Sequence, residues 1–185
     1  MGAQELAGRL LVATPNLLDP NFRRTVVLVL DHHADGAMGL VLNRPSETAV
    51  ADPLPEWGQH AVEPAVVFVG GPVRQEAAIC LAHSAGAQGS DGWQPLFDRL
   101  GTVDLARAPR ELGVEIDAVR VFAGYAGWGA NQLEAEVDAG AWYVLNAAPG
   151  DVMCPDPTGL WRSVLRRQPG LLSAVSSYPA DLSEN

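Results

Sequence analysis

The sequence predicts an α+β fold, built mainly from strands, in one domain spanning residues 1–185. Three observations predict it. Short apolar runs rich in β-branched side chains recur along the chain and end in Gly, Pro or Asp-Gly. Helical periodicity is confined to a few short stretches in the C-terminal half. The regular strand–helix alternation of a doubly wound parallel sheet is absent.

Thr25–Leu30 is too short for a helix and too continuous for a half-exposed strand, so it reads as a buried strand. Asp35-Gly36 turns the chain into a second strand, Gly39–Asn43, which Pro45 ends. The stretch from Asp52 to Pro64, with Pro53, Pro55 and Trp57-Gly58, reads as an irregular connection. Ala65–Val69 is a buried strand stopped by Gly70-Gly71-Pro72, and Ala77–Ala82 is a further strand. His83 to Trp93, rich in Gly, Ser and Asp, reads as a mobile loop. A short strand over Thr102–Leu105 and a helical turn over Pro109–Leu112 follow.

Ala118–Ala123 reads as a strand that hands over, through the tight turn Gly124–Gly129, to a short helix over Asn131–Val137 closed near Gly140. Trp142–Leu145 is the last expected strand. Thr158 is placed to cap a helix over Leu160–Arg167 whose stripe is Leu160, Val164 and Leu165. The tail from Pro169 carries no pattern and is expected to be loosely held.

Composition excludes several function classes. The chain has 12 basic residues, all Arg, against 22 acidic ones, for a net charge of −10. Such a chain is repelled by phosphate backbones, so direct nucleic-acid binding is disfavoured. The absence of Lys removes Schiff-base and Walker-type lysine chemistry. Cys80 and Cys154 are far apart and flanked by apolar residues, which predicts reduced, buried thiols. No basic leader and no membrane-length apolar run is present, and a cytoplasmic location without membrane attachment is the expectation.

The motifs Thr14–Val27, His33, Gly36–Pro45, Gly70-Gly71-Pro72-Val73, Gly124–Trp128, Gln132-Leu133-Glu134 with Glu136, and Trp142 occur in order from about Gly8 to Arg167. As an ordered set they resemble the YqgE/AlgH family. The resemblance implies a bent, mostly antiparallel sheet folded toward a pseudo-barrel, with a few helices packed around it. It implies no established enzymatic reaction, and one branch of the family carries the label of a transcriptional regulator. One position departs from the pattern: Asn131 stands where the family usually has Gly. Asn tolerates left-handed backbone angles better than most residues, so the turn is expected to survive.

Asp31-His32-His33-Ala34-Asp35 is the cluster that most resembles a metal site, since adjacent Asp and His residues at a strand end can bind a divalent ion and activate water. It supports the alternative of a metal-dependent hydrolase or phosphoesterase. Against it stands the ordinary reading of a polar hairpin tip. Glu134 and Glu136, two residues apart, do not share a helix face and make a poor acid/base pair. No G-x-S-x-G elbow surrounds Ser84 or Ser90. No catalytic set and no cofactor is therefore assigned, and the expectation is a non-enzymatic binding or regulatory protein with a protein or small anionic ligand as partner. Binding is expected at three segments that each follow a strand: Asn43-Arg44-Pro45, Gly70-Gly71-Pro72 and Gly124 to Gln132. Within them Asn43, Arg44, Gly70, Gly71, Gly124, Gly127, Trp128, Asn131 and Gln132 are the candidate contacts.

Overall fold

The computed structural model describes residues 5–86 and 91–180. The expected hairpin forms from β2 (Val26–His33) and β3 (Gly36–Val41), and β1 (Arg9–Ala13), which the sequence reading missed, lines the other edge of β2. β10 (Trp142–Asn146) pairs with β1 across nearly the whole chain. β9 (Ile116–Gly129) is the organising strand. Its last four residues, 126–129, pair with β3, and residues between 116 and 125 pair with β6 (Val73–Ser84), which then leads to β8 (Leu100–Val103) and β7 (Trp93–Phe97). β4 (Pro45–Ala49) pairs with β5 (Val66–Val69), and β5 joins β9 in a parallel pairing. The result is a curled, mostly antiparallel sheet in the form of a half-barrel, α+β in class.

The continuous apolar run of β2 is explained by burial on both faces. Val26 and Leu28 point into a cluster with Leu10, Leu40, Phe68 and Phe122, sealed by α2 (Leu160–Arg166) through Leu160, Trp161, Val164 and Leu165. Val27 and Val29 point the other way, into a cluster with Leu11, Val41, Trp128 and Trp142 that Leu133 of α1 (Gln132–Asp138) caps. A third cluster around Trp57, Cys80, Val119 and Val121 lies under the 50–61 connection.

Several expectations are corrected. Gly124–Gly129 is not a turn but the end of β9. His83 and Ser84 belong to β6 and Trp93 to β7, and residues 87–90 of the expected loop lie outside the described residues. Asp156, not Thr158, caps the approach to α2: its side chain accepts from the Gly159 N–H, and a 3-10 turn over Pro157–Gly159 leads into the helix. Within the tail from residue 169, α3 (Leu171–Val175) forms and packs against α2, where Arg162 donates to the Ser176 carbonyl at 2.8 Å. No described helix is long and apolar enough to cross a membrane.

Candidate functional site

The first two of the three expected segments meet, and Gly124 at the start of the third reaches them. The Val69 N–H donates to the Arg44 carbonyl and the Val41 N–H to the Gly70 carbonyl, both at 2.8 Å, while the Gly70 N–H donates to Ala123 at 2.9 Å. Glycine is needed at Gly124 because its φ is +75° and an added Cβ would stand 2.6 Å from the Gly71 carbonyl oxygen. The glycines here let β5 cross close to β9.

The polar members of these segments are engaged with the backbone. Asn43 Oδ1 accepts from the Val26 N–H at 3.0 Å and Nδ2 donates to the Arg24 carbonyl at 2.9 Å. Arg44 donates to the carbonyls of Asn21 at 2.7 Å, Pro20 at 2.8 Å and Arg23 at 3.3 Å. Burial pushes the Arg44 guanidinium below its usual range, and nearby Asp19 pulls it partly back.

Gly127, Trp128, Asn131 and Gln132 gather further along β9, around a residue the sequence reading had set aside. Glu136 Oε2 accepts from the indole N–H groups of both Trp128 and Trp142 at 2.9 Å, and its Oε1 accepts from Gln132 Nε2 at 3.1 Å. Gln132 Oε1 in turn accepts from the Gly129 N–H at 2.9 Å. Gly127 pairs with Met38 in the β3–β9 ladder. Asn131 has φ +61°, the left-handed geometry anticipated where Gly is usual, and sits at the start of α1. Phe22 stacks on Trp128 at 6.3 Å and meets the edge of Trp142 at 5.7 Å. Since Arg44 pins the carbonyls on either side of Phe22, the 20–24 loop connects the two groups.

The Asp31-His32-His33 cluster does not act as a unit. The β2–β3 register slips between Val29 and Asp31, and this bulge turns His32 inward toward α1 while Asp31 and His33 point to solvent. His32 Nδ1 accepts from the Leu6 N–H at 3.1 Å, so Nε2 carries the ring proton and donates to Glu134 Oε1 at 2.7 Å. Glu134 lies below the ordinary carboxylate range, first through a bond from its own backbone N–H and then through His32. His33 pairs with Asp31 in the open, at 2.7 Å. Among the described residues no three His, Cys, Asp or Glu side chains are grouped to hold a metal ion.

Sequence reasoning also passed over Arg120, which lies in an apolar strand segment and is 2 % exposed. It donates to the carbonyls of Val152 and Cys154 at 2.8 Å and Glu63 at 2.9 Å, and its guanidinium lies 4.5 Å from the Phe68 ring centroid. Burial pushes it down to about 10. It clips two loops to the sheet. Of the thiols, Cys80 is buried and pushed up to about 12 by burial, whereas Cys154 is only half-buried; both are free.

Beside the meeting point of the first two segments a groove of about 410 Å3 opens, with Val67, Val69, Val121 and Ala123 as its floor and Pro53 and Leu54 as one wall. Its polar lining is limited to Ser46, Thr48 and Gln75.

A family model described as AlgH-like matches residues 10–173. The chain belongs to the AlgH-like family. A UPF0301 protein of Streptomyces coelicolor is 51 % identical over 184 residues, covering 97 % of this chain and 95 % of its own. One from Thermobifida fusca is 50 % identical, covering 100 % and 98 %, and one from Mycobacterium tuberculosis is 46 % identical, covering 97 % and 90 %. A crystal structure of a Corynebacterium diphtheriae protein superposes with a TM-score of 0.88 at 31 % identity, covering 96 % of this chain and 95 % of that one. The solution structure of AlgH from Pseudomonas aeruginosa does so at 0.64 and 29 % identity, covering 97 % of each chain. The half-barrel is thus the architecture of this AlgH-like family.

Proposed function

We propose that this AlgH-like protein is a cytoplasmic regulatory protein that works by binding and carries out no reaction of its own. The observation that carries this reading is the 410 Å3 groove, whose lining contains no titratable side chain. Acid–base and nucleophilic catalysis need such groups at the reacting centre, whereas binding needs apolar area with a few polar anchors. The carboxylates and the histidine nearest to a catalytic look, Glu134, Glu136 and His32, serve buried or half-buried hydrogen bonds instead. The groove lies beside the Asn43–Arg44 and Gly70–Gly71 segments without being lined by their residues, and the occupant that fits it is an apolar segment of a partner protein, with Gln75 and Thr48 anchoring its backbone.

The test uses 1-anilinonaphthalene-8-sulfonate as an apolar probe, with Ala78→Trp, at an exposed position on the rim, to fill the groove. The folded protein should enhance the dye's fluorescence, and Ala78→Trp should remove most of that signal while melting within about 3 °C of the parent. Dye uptake unchanged by Ala78→Trp would remove the groove from consideration.

A further inference from the structure

In a chain of net charge −10, two of the twelve arginines line one small recess. The recess, about 230 Å3, lies between the loop that follows β1 and the segment that follows α3. Arg23 and Arg24 line it together with Leu17, Leu18 and Tyr178. Arg24 is held in the left-handed region at φ +55°, stacks 4.0 Å over the Trp161 ring and donates to the Tyr178 carbonyl at 3.0 Å. Arg162 stands close enough, with Arg23, to add repulsion to the burial that pushes the Arg24 guanidinium down. Among the described residues, none of Arg23, Arg24 and Arg162 has a carboxylate within salt-bridge distance, although acidic residues outnumber basic ones 22 to 12. The nearby Asp19 gives Oδ1 to the Asn21 N–H at 2.9 Å.

Crowded cations without a counter-charge raise the free energy of the empty site, and an anion placed between them lowers it. The other wall is apolar: Leu18 is 67 % exposed and Tyr178 41 % exposed, surface that water solvates poorly. We infer that this recess is a binding site for a small organic anion, a phosphate monoester or carboxylate on a short apolar body. Its charged head lies against Arg23 and Arg24 and its body against Leu17, Leu18 and Tyr178. The volume falls below the roughly 300–1,000 Å3 of drug-sized ligand sites, which limits the body to about one ring. This site is separate from the apolar groove in residues and in chemistry, so either can fail without the other.

The probes are phenyl phosphate and benzoate, followed by amide chemical-shift changes and by Trp161 fluorescence. Binding of at least one of them is expected, with shifts confined to the 14–24 loop, the neighbourhood of Trp161 and the segment around Tyr178. Inorganic phosphate and benzyl alcohol, each carrying half of the required chemistry, should bind at least ten-fold more weakly. Arg23 is exposed and its side chain makes no hydrogen bond among the described residues, so Arg23→Gln should leave the melting temperature unchanged and weaken binding at least five-fold. Leu18→Glu, which sets a carboxylate on the rim, should do the same. Lack of response to both probes, shifts centred elsewhere, equal binding of inorganic phosphate, or full affinity in Arg23→Gln would each overturn the assignment.

Discussion

Glu136 shows how one side chain can hold a surface helix to a sheet. Its carboxylate accepts from two indoles that are 6 % and 3 % exposed, and no other acceptor among the described residues bonds their N–H groups. Removing it leaves both donors unpaired, and each unsatisfied buried donor costs about 1–3 kcal/mol. Glu136→Ala is therefore expected to lose about 2–4 kcal/mol in urea unfolding. A loss below about 0.5 kcal/mol, the level of an ordinary surface change, would mean that solvent reaches the indoles. The residues Trp128 and Gln132 were legible as notable from their motif, but the acceptor that unites them was not. Glu136 sits two residues from Glu134 on a short helix, and its partners Trp128 and Trp142 come from strands on either side of that helix.

At the scale of elements, α1 is tied to β2 through His32 and Glu134, and the tie has a pH signature. The folded-state value of Glu134 is depressed, so its stabilisation is present above the ordinary carboxylate range and is lost as pH falls through the folded value. Wild-type melting temperature should fall more steeply than that of Glu134→Gln between about pH 5 and pH 3. Parallel curves would show that the His32 contact contributes no charge-dependent stability. Elements also mark where sequence reading succeeds. β2, β5 and β10 carry apolar runs rich in β-branched or aromatic residues and were found, and β3 was marked by the Asp35-Gly36 turn before it. β4 and β7 were missed because each contains a proline, Pro45 and Pro95, which edge strands tolerate where central strands do not. Gly124–Gly129 was read as a turn because it is rich in glycine, yet it is strand, paired with β6 at Tyr125 and with β3 over residues 126–129. The bulge that turns His32 inward left no local mark at all.

For the whole molecule, charge sets the outlook for nucleic acid. Even with arginines gathered near the 14–24 loop, a net charge of −10 opposes approach to a duplex. Titration with labelled duplex at low salt, where screening is least, should show weak binding or none. Sub-micromolar, salt-sensitive affinity would show that the arginine cluster dominates the field at that face.

What the sequence by itself determined was the α+β class, the hairpin, the acidic and lysine-free surface, and membership of the AlgH-like family, including the left-handed residue Asn131. These rest on local periodicity, on the φ preferences of single residues and on composition, all of which are written along the chain. Only the tertiary structure decided that β5 runs parallel to β9, that Gly70 and Gly124 touch, and that Asn43 and Arg44 bond to the 20–26 backbone. It alone placed Arg120 among three carbonyls and drew Arg23, Arg24 and Arg162 together. Each of these depends on which distant segment arrives opposite, and that choice is made by burying the faces of all ten strands at once, a sum that no single stretch of sequence contains.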